Sequence, residues 1–357
     1  MTKLSGLVRN RLFWPVALLL LLLLSNLIIR PGFFALRMQD GHLYGSLIDI
    51  LRFSAPLMLV ALGMTLVIAT GGIDLSVGSV FAIAGALACV HISTQPDQNS
   101  LVTVFTAIAI ALGAALVMGM WNGTLVARFG VQPIIATLIL MVAGRGVALL
   151  ITGGLNVHVK SPTYRFIGAG YLFTLPFNII LAIGMVILAA IITRRSALGL
   201  LVESVGGNAV AARLVGIRAR GLTIGIYTFA AFCAALAGIM HSSGVSSADG
   251  NYAGVFIELD AILAVVIGGT LLTGGRYSLA GTVVGVLFIQ TLVTTIYSAG
   301  VNPRSVLVVK AVVVLVVCLM QSEAFRSKVF GRWKKPGTPT RPATMPGGAK
   351  TKAEVPA

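Results

Sequence analysis

Three carboxylates, Asp74, Glu258 and Asp260, stand in stretches of chain where most neighbours are apolar. In the first stretch residues 69–80 read ATGGIDLSVGSV, so Asp74 and Ser76 follow a Gly71-Gly72 pair. A carboxylate at membrane depth is costly and usually lines a substrate pathway. A Gly-Gly break is tolerated at that depth only where protein or a watery cavity surrounds it. Asp74 is also placed to cap the helix that restarts at Leu75, accepting a hydrogen bond from the N–H of Ser76 or Val77. The two roles are compatible, because a helix end held open by an aspartate presents polar groups to cargo. Thr70, Asp74, Ser76, Asn122, Arg145, Glu258 and Asp260 are therefore the candidate residues of a translocation pathway. Arg145 and Lys310 lie within about two turns of a helix end, where a long side chain can snorkel to the interface. Snorkelling is the expectation for Lys310, whereas Arg145, followed by Gly146, suits a buried carbonyl cluster equally well.

Other chemistries are missing. There is no GxxxxGK[ST], HExxH or GxSxG motif, and no nucleophile–base pair that would support a membrane-embedded enzyme. Cys89, Cys233 and Cys318 fall in apolar segments and read as small buried hydrophobes. The histidines at 42, 91, 158 and 241 are scattered, so neither a metal nor a cofactor is expected.

These residues need elements that cross a bilayer. The chain is 57% hydrophobic and 10% charged, against about 45–50% and about 25% for a soluble domain. Ten apolar runs are candidate spans: Leu12–Ile29, Arg52–Thr70, Leu75–His91, Leu101–Ala127, Val131–Thr152, Leu172–Thr193, Leu222–His241, Leu259–Thr270, Leu279–Tyr297 and Val306–Met320. The expected fold is an all-α, polytopic membrane protein of about ten transmembrane helices. The first run is too long for a signal-peptide core, and Arg30-Pro31 follows where a cleavage site would be needed, so it reads as a retained span. Residues 1–320 form the expected transmembrane domain; residues 321–357, rich in Pro, Gly, Lys and Thr, read as a basic disordered tail.

The net charge of +16 does not call for nucleic acid. With both termini in the cytoplasm, eighteen of the 26 Lys and Arg fall inside and six outside. That is the positive-inside bias of a plasma-membrane protein. In the second half, SSGVSSADGNYAGVFIELDAILAVVIGGTLLTGGRYS interrupts another apolar hairpin with Asp249, Glu258 and Asp260. Five spans separate the two interruptions, so they face opposite sides, as an inverted repeat with broken helices requires. The pairs Gly119/Gly123, Gly221/Gly225 and Gly281/Gly285 have GxxxG spacing and are expected to be helix-packing positions.

Four segments in order, GMTLVIATGGIDLSVGSV, WNGTLVARFGVQPIIATLILMVAGRG, SALGLLVESVGGNAVAARLVGI and ELDAILAVVIGGTLLTGGRYS, resemble the sugar-specific permeases of bacterial ABC importers, the family of the ribose, xylose and arabinose permeases. MQDGHLYGSLIDILRFSAP and ATLILMVAGRGVA are most similar to its galactofuranose branch. The resemblance implies a subunit of the bacterial inner membrane that moves a monosaccharide, galactofuranose foremost, into the cytoplasm. It further implies a second permease subunit (paralogue or identical copy), an ABC ATP-binding subunit and a periplasmic sugar-binding protein.

On local propensity alone, Asn208 is a good N-cap, Ala209 to Leu214 is helix-forming, and Gly216 is placed to stop the helix. Such a segment could lie on the membrane surface. The resemblance favours a coupling helix of Gly207, Asn208, Ala211, Ala212, Arg213 and Leu214, docked in a groove of the ATPase. A helix this short is marginal alone in water, so a partner surface is expected to hold it. The alternative function is an ion-coupled secondary transporter binding Na⁺ or H⁺ at the broken helices. Co-purification with an ATPase subunit separates the two.

Overall fold

The computed structural model describes residues 13–29, 32–302 and 305–321. Leu12, and the tail expected beyond Gln321, lie outside the described residues.

The chain begins with helix α1 (Phe13–Ile29) and a hairpin of β1 (Arg37–Gln39) and β2 (His42–Tyr44). Helices α2 (Ser46–Ala69), α3 (Val77–Ser93), α4 (Leu101–Ala127) and α5 (Pro133–Thr152) follow. Then come β3 (Asn156–His158), α6 (Pro162–Ala169), β4 (Tyr171–Leu172), β5 (Leu175–Pro176) and α7 (Phe177–Arg195). Two short helices, α8 (Leu198–Gly207) and α9 (Ala209–Leu214), lead into α10 (Ala219–Val245), β6 (Ser247–Asp249), α11 (Ile257–Ile267), α12 (Leu279–Ser298) and α13 (Val306–Gln321). The main unit runs to Val314; Leu315 onward is a separate unit, of which the described residues complete α13.

Among the described residues, α2, α4, α5, α7, α10 and α12 are long and apolar enough to cross a membrane. Two expectations on length change. Helix α2 starts six residues early, at Ser46, and carries Asp49 in its first turn. The eighth expected span is α11, which has 11 residues and rises only about 16 Å, roughly half of a hydrocarbon core of ~30 Å.

Helix α10 lies at the centre, packed on α2, α3, α4 and α6. In α2 every residue from Ser54 to Ala69 is buried except Pro56. Helices α4 and α5 instead expose Phe105, Val117, Trp121, Ile139, Val142 and Leu150, an apolar surface suited to lipid. Small residues set the closest approaches. A Cβ on Gly119 would stand 2.7 Å from Thr228 Cα, and one on Gly123 2.7 Å from Ile224 Cα, so α4 and α10 meet backbone to backbone. Gly281 and Gly285 likewise pack on Gly268 and Ala264, joining α12 to α11. The expectation holds for these two pairs; Gly221 and Gly225 meet nothing within 4 Å.

The strands gather at one end of the bundle. β1 pairs with β2, β4 with β5, and β3 with β6, all antiparallel, and the Leu43 N–H donates to the Thr174 carbonyl at 3.0 Å. His42 stacks on Tyr171 at 4.1 Å between ring centroids. Burial and the neighbouring Tyr44 hydroxyl push the Tyr171 phenol up to about 12. The opposite end carries α8 and α9.

Candidate functional site

The break after α2 is closed by its own backbone and by side chains from two other helices. The N–H groups of Thr70, Gly71 and Gly72 return to the carbonyls of Val67 and Ile68, with Gly71 at φ +80°, a conformation glycine adopts without strain. Asp74 Oδ1 accepts from the Ser76 N–H at 2.9 Å and from the Ser76 hydroxyl at 2.6 Å. The hydrogen bond expected from the Ser76 N–H is present, but the helix restarts at Val77 with Ser76 as its N-cap, so Asp74 ties the turn before the helix rather than capping it. From α4, Asn122 Nδ2 donates to Ser76 Oγ at 2.8 Å. From α5, Thr137 Oγ1 accepts the Leu75 N–H at 3.1 Å. Asp74, Ser76 and Asn122 are each 1% exposed, so they face protein and no open cavity.

Below this break three glycines from separate segments meet. A Cβ on Gly206, at the end of α8, would overlap the Ala69 carbonyl oxygen and stand 2.6 Å from Gly275 N. One on Gly274 would stand 2.8 Å from Gly71 N and 3.0 Å from Gly206 O. The Gly275 N–H donates to the Ala69 carbonyl at 2.8 Å. The α9 end is thus tied directly to the last residue of α2.

Helix α9 has the bounds its propensities predict, and Asn208 accepts from the N–H of Val210 and Ala211. Gly216, at φ +88°, follows as the stop. What holds the helix differs from expectation. Ala212 is buried against Val205 and Ala219, so the chain itself anchors the helix, while Val210, Leu214 and Val215 are exposed.

The second interruption is arranged otherwise. After β6 the chain runs through residues 250–256 against the first turns of α3, where Gly254 meets Gly78 and Phe81. Arg145 of α5 donates to the carbonyl of Ala253, and to that of Gly254 at 2.6 Å. This is the carbonyl cluster, and it fixes a loop that ends with Phe256 at φ 64°, a strained position for a bulky residue. A Cβ on Gly78 would overlap Glu258 Oε2 and stand 3.1 Å from Arg145 Nη2, so glycine alone fits there. Lys310 does not snorkel: its ammonium pairs with the half-buried Asp260 carboxylate of α11 at 2.6 Å and 2.9 Å.

Beside this loop lies a cavity of about 740 Å³. Asp49, Phe53 and Leu57 of α2, Phe81 of α3, His241 of α10, and Gln290, Thr294 and Tyr297 of α12 line it, with Tyr252 and Asp260 from the interrupted segment. The volume falls within the roughly 300–1,000 Å³ of small-molecule sites. Aromatic faces beside carboxylate, amide and hydroxyl groups suit a ligand with apolar ring faces and polar edges.

The seven sequence candidates therefore divide. Thr70, Asp74, Ser76 and Asn122 belong to the first break, Arg145 braces the second with Glu258 buried beside Gly78, and of the seven Asp260 alone lines the large cavity. Asp49, Phe53, Phe81, His241, Tyr252 and Gln290 are lining residues that the sequence reading did not select. Helical spacing was the available signal: 49, 53 and 57 share one face of α2, as 290, 294, 297 and 298 do on α12.

The family described as branched-chain amino acid transport system / permease component matches residues 46–318. The chain is 48% identical to the galactofuranose transporter permease protein YtfT of Escherichia coli (strain K12), over 90% of this chain and 94% of that protein. It is 40% identical to the fructose import permease protein FruF of Bifidobacterium longum (strain NCC 2705), over 88% and 89% of the two chains. It is 37% identical to the ribose import permease protein RbsC of Escherichia coli (strain K12), over 86% and 92%. No solved structure matches.

Proposed function

The chain belongs to the branched-chain amino acid transport system / permease component family, and on that premise we propose that it carries galactofuranose across the inner membrane. It is the permease component of an ATP-driven sugar importer, a transport subunit and not an enzyme. The observation that carries the cargo assignment is the 48% identity, sustained over 90% of the chain, to a galactofuranose permease.

In this reading the hairpin end is periplasmic and receives sugar from a binding protein. Sugar enters the cavity of about 740 Å³, where Phe53, Phe81 and Tyr252 offer ring faces and Asp49, Asp260 and Gln290 accept or donate hydrogen bonds. The α9 end is cytoplasmic, in keeping with its Arg128, Arg194, Arg195, Arg213, Arg218, Arg220 and Arg276. Both termini are cytoplasmic, with ten membrane segments in two inverted halves and a second permease subunit completing the pathway. Helix α9 docks on the ATPase through Val210, Leu214 and Val215, and the junction of Gly71, Gly206 and Gly274 passes its motion to the break.

Import of labelled galactofuranose, ribose and fructose by the reconstituted importer tests the cargo. Galactofuranose is expected to be taken up fastest; preferential uptake of either other sugar refutes the assignment. Leu214→Asp tests the docking surface. At 84% exposure the change leaves folding within about 0.5 kcal/mol, yet sugar-stimulated ATP hydrolysis should be lost. Unchanged stimulation removes α9 from the interface.

A further inference from the structure

Among the described residues, two of the buried side-chain polar atoms without a hydrogen bond belong to side chains that reach the first break. Asn122 uses its Nδ2 on Ser76, but its Oδ1 has no hydrogen bond. Tyr227 of α10 is 0% exposed, and its hydroxyl likewise has no partner. A Cβ on Gly72 would stand 2.5 Å from that hydroxyl, so it lies against the glycine pair. A buried polar group left unpaired loses its hydration and gains nothing, and such groups are rare in native proteins. Here two of them meet the one stretch from Gly72 to Ser76 that also holds Asp74.

Tyr227 forms part of the wall of a pocket of about 160 Å³, together with Thr70, Gly71 and Gly72. Liquid water occupies roughly 30 Å³ per molecule, so the space exceeds one bridging water several-fold. Charge narrows the occupant. Arg213 and Arg220 in the pocket wall repel a cation, and the buried Asp74 carboxylate, two residues beyond Gly72, repels an anion once residues 71–72 yield. A neutral molecule with several hydroxyl groups satisfies the unpaired atoms and is repelled by neither.

We propose that Tyr227 and Asn122, with Asp74, form an inner sugar subsite that hydrogen-bonds the cargo's hydroxyl groups as residues 71–72 yield during passage. The proposal rests on the reading that this chain conducts a sugar. It is separate from the large cavity, which is lined by the other ends of α2 and α10, at residues 46–57 and His241, and shares no residue with the pocket. The unpaired atoms are the resting state of groups whose partner visits only in transit.

The test is Tyr227→Phe in the complete importer reconstituted in lipid, assayed with whichever monosaccharide the wild type imports. A wrong cargo assignment thus appears in the wild type and leaves this comparison intact. Removing an unpaired hydroxyl should leave the melting temperature unchanged or raised, while initial uptake falls about ten-fold. Monodeoxy analogues of the cargo supply a second readout. For the analogue lacking the contacted hydroxyl, wild type and variant should be imported at the same reduced rate. Wild-type uptake by the variant overturns the proposal. So does a lowered melting temperature with uptake reduced only in proportion to lost folded protein, which would mark a buried structural water. An equal loss across all analogues also overturns it.

Discussion

The two interruptions of the helical bundle solve one problem in opposite ways. At the first, between α2 and α3, exposed backbone is satisfied almost entirely by neighbours. Thr137 takes the Leu75 N–H, Ser76 serves Asp74, and three glycines let α8 and the 274–275 loop press against the end of α2. At the second, between α10 and α11, one long side chain, Arg145, holds two carbonyls of a loop whose other face lines a large cavity. Satisfaction by close packing leaves the first break closed at rest, with only a small pocket beside it, whereas satisfaction by one side chain frees a whole face of the loop. Irregular backbone in a membrane therefore implies a cavity in one place and a mechanical joint in another. What decides is how close neighbouring backbones can come, and that depends on glycine.

Arg145→Ala should show the largest effect. It strips two carbonyls of a charged donor, at about 1.5–3 kcal/mol for each such hydrogen bond, and removes the cation near buried Glu258. Adding Glu258→Gln should recover part of it, as a double-mutant cycle on melting temperature would measure. Full additivity would mean that the two side chains act independently.

Gly206→Ala should cost about 1–3 kcal/mol, since its methyl must displace the Ala69 carbonyl. Gly207→Ala, one residue on, meets nothing within 4 Å and should leave stability nearly unchanged. Equal melting temperatures for the two variants would dissolve the idea of a tight joint beneath the first break.

Asp74→Ala removes two hydrogen bonds from Ser76 and should cost about 1–2 kcal/mol. Uptake should fall further than the loss of folded protein explains. If uptake tracks folded protein, Asp74 only fixes the turn before α3.

Tyr252→Ala should scarcely alter stability, within about 0.5 kcal/mol, because the side chain is 79% exposed at the cavity. It should instead raise the KM for uptake several-fold. An unchanged KM would argue that the cavity beside the second interruption is not on the cargo's route.

Much of this comparison was legible in the order of residues. Composition required a helical membrane protein, Gly71-Gly72 and Asp74 marked the first break, and Asn208 with Gly216 bounded α9 to the residue. These are signals of local range: helix propensity, caps and breakers act within a turn or two of their own position. The division of the seven candidates was not legible. Nothing near Asp260 in the sequence says that Lys310, 50 residues away, neutralises it, nor does anything near Arg145 point to Ala253 and Gly254.

The short helix α9 shows where the boundary falls. The order of residues decided that 209–214 would be helical, and that a helix so short needed something to hold it. Only the tertiary structure decided what does so: Ala212 turns inward onto Val205 and Ala219, and Leu214 turns outward. The same holds for glycine. Sequence lists Gly71, Gly206 and Gly274 as three permissive residues, and folding alone makes them a single contact. Backbone conformation depends on a few consecutive dihedral angles, whereas close approach depends on the absence of a side chain at two or more distant positions at once.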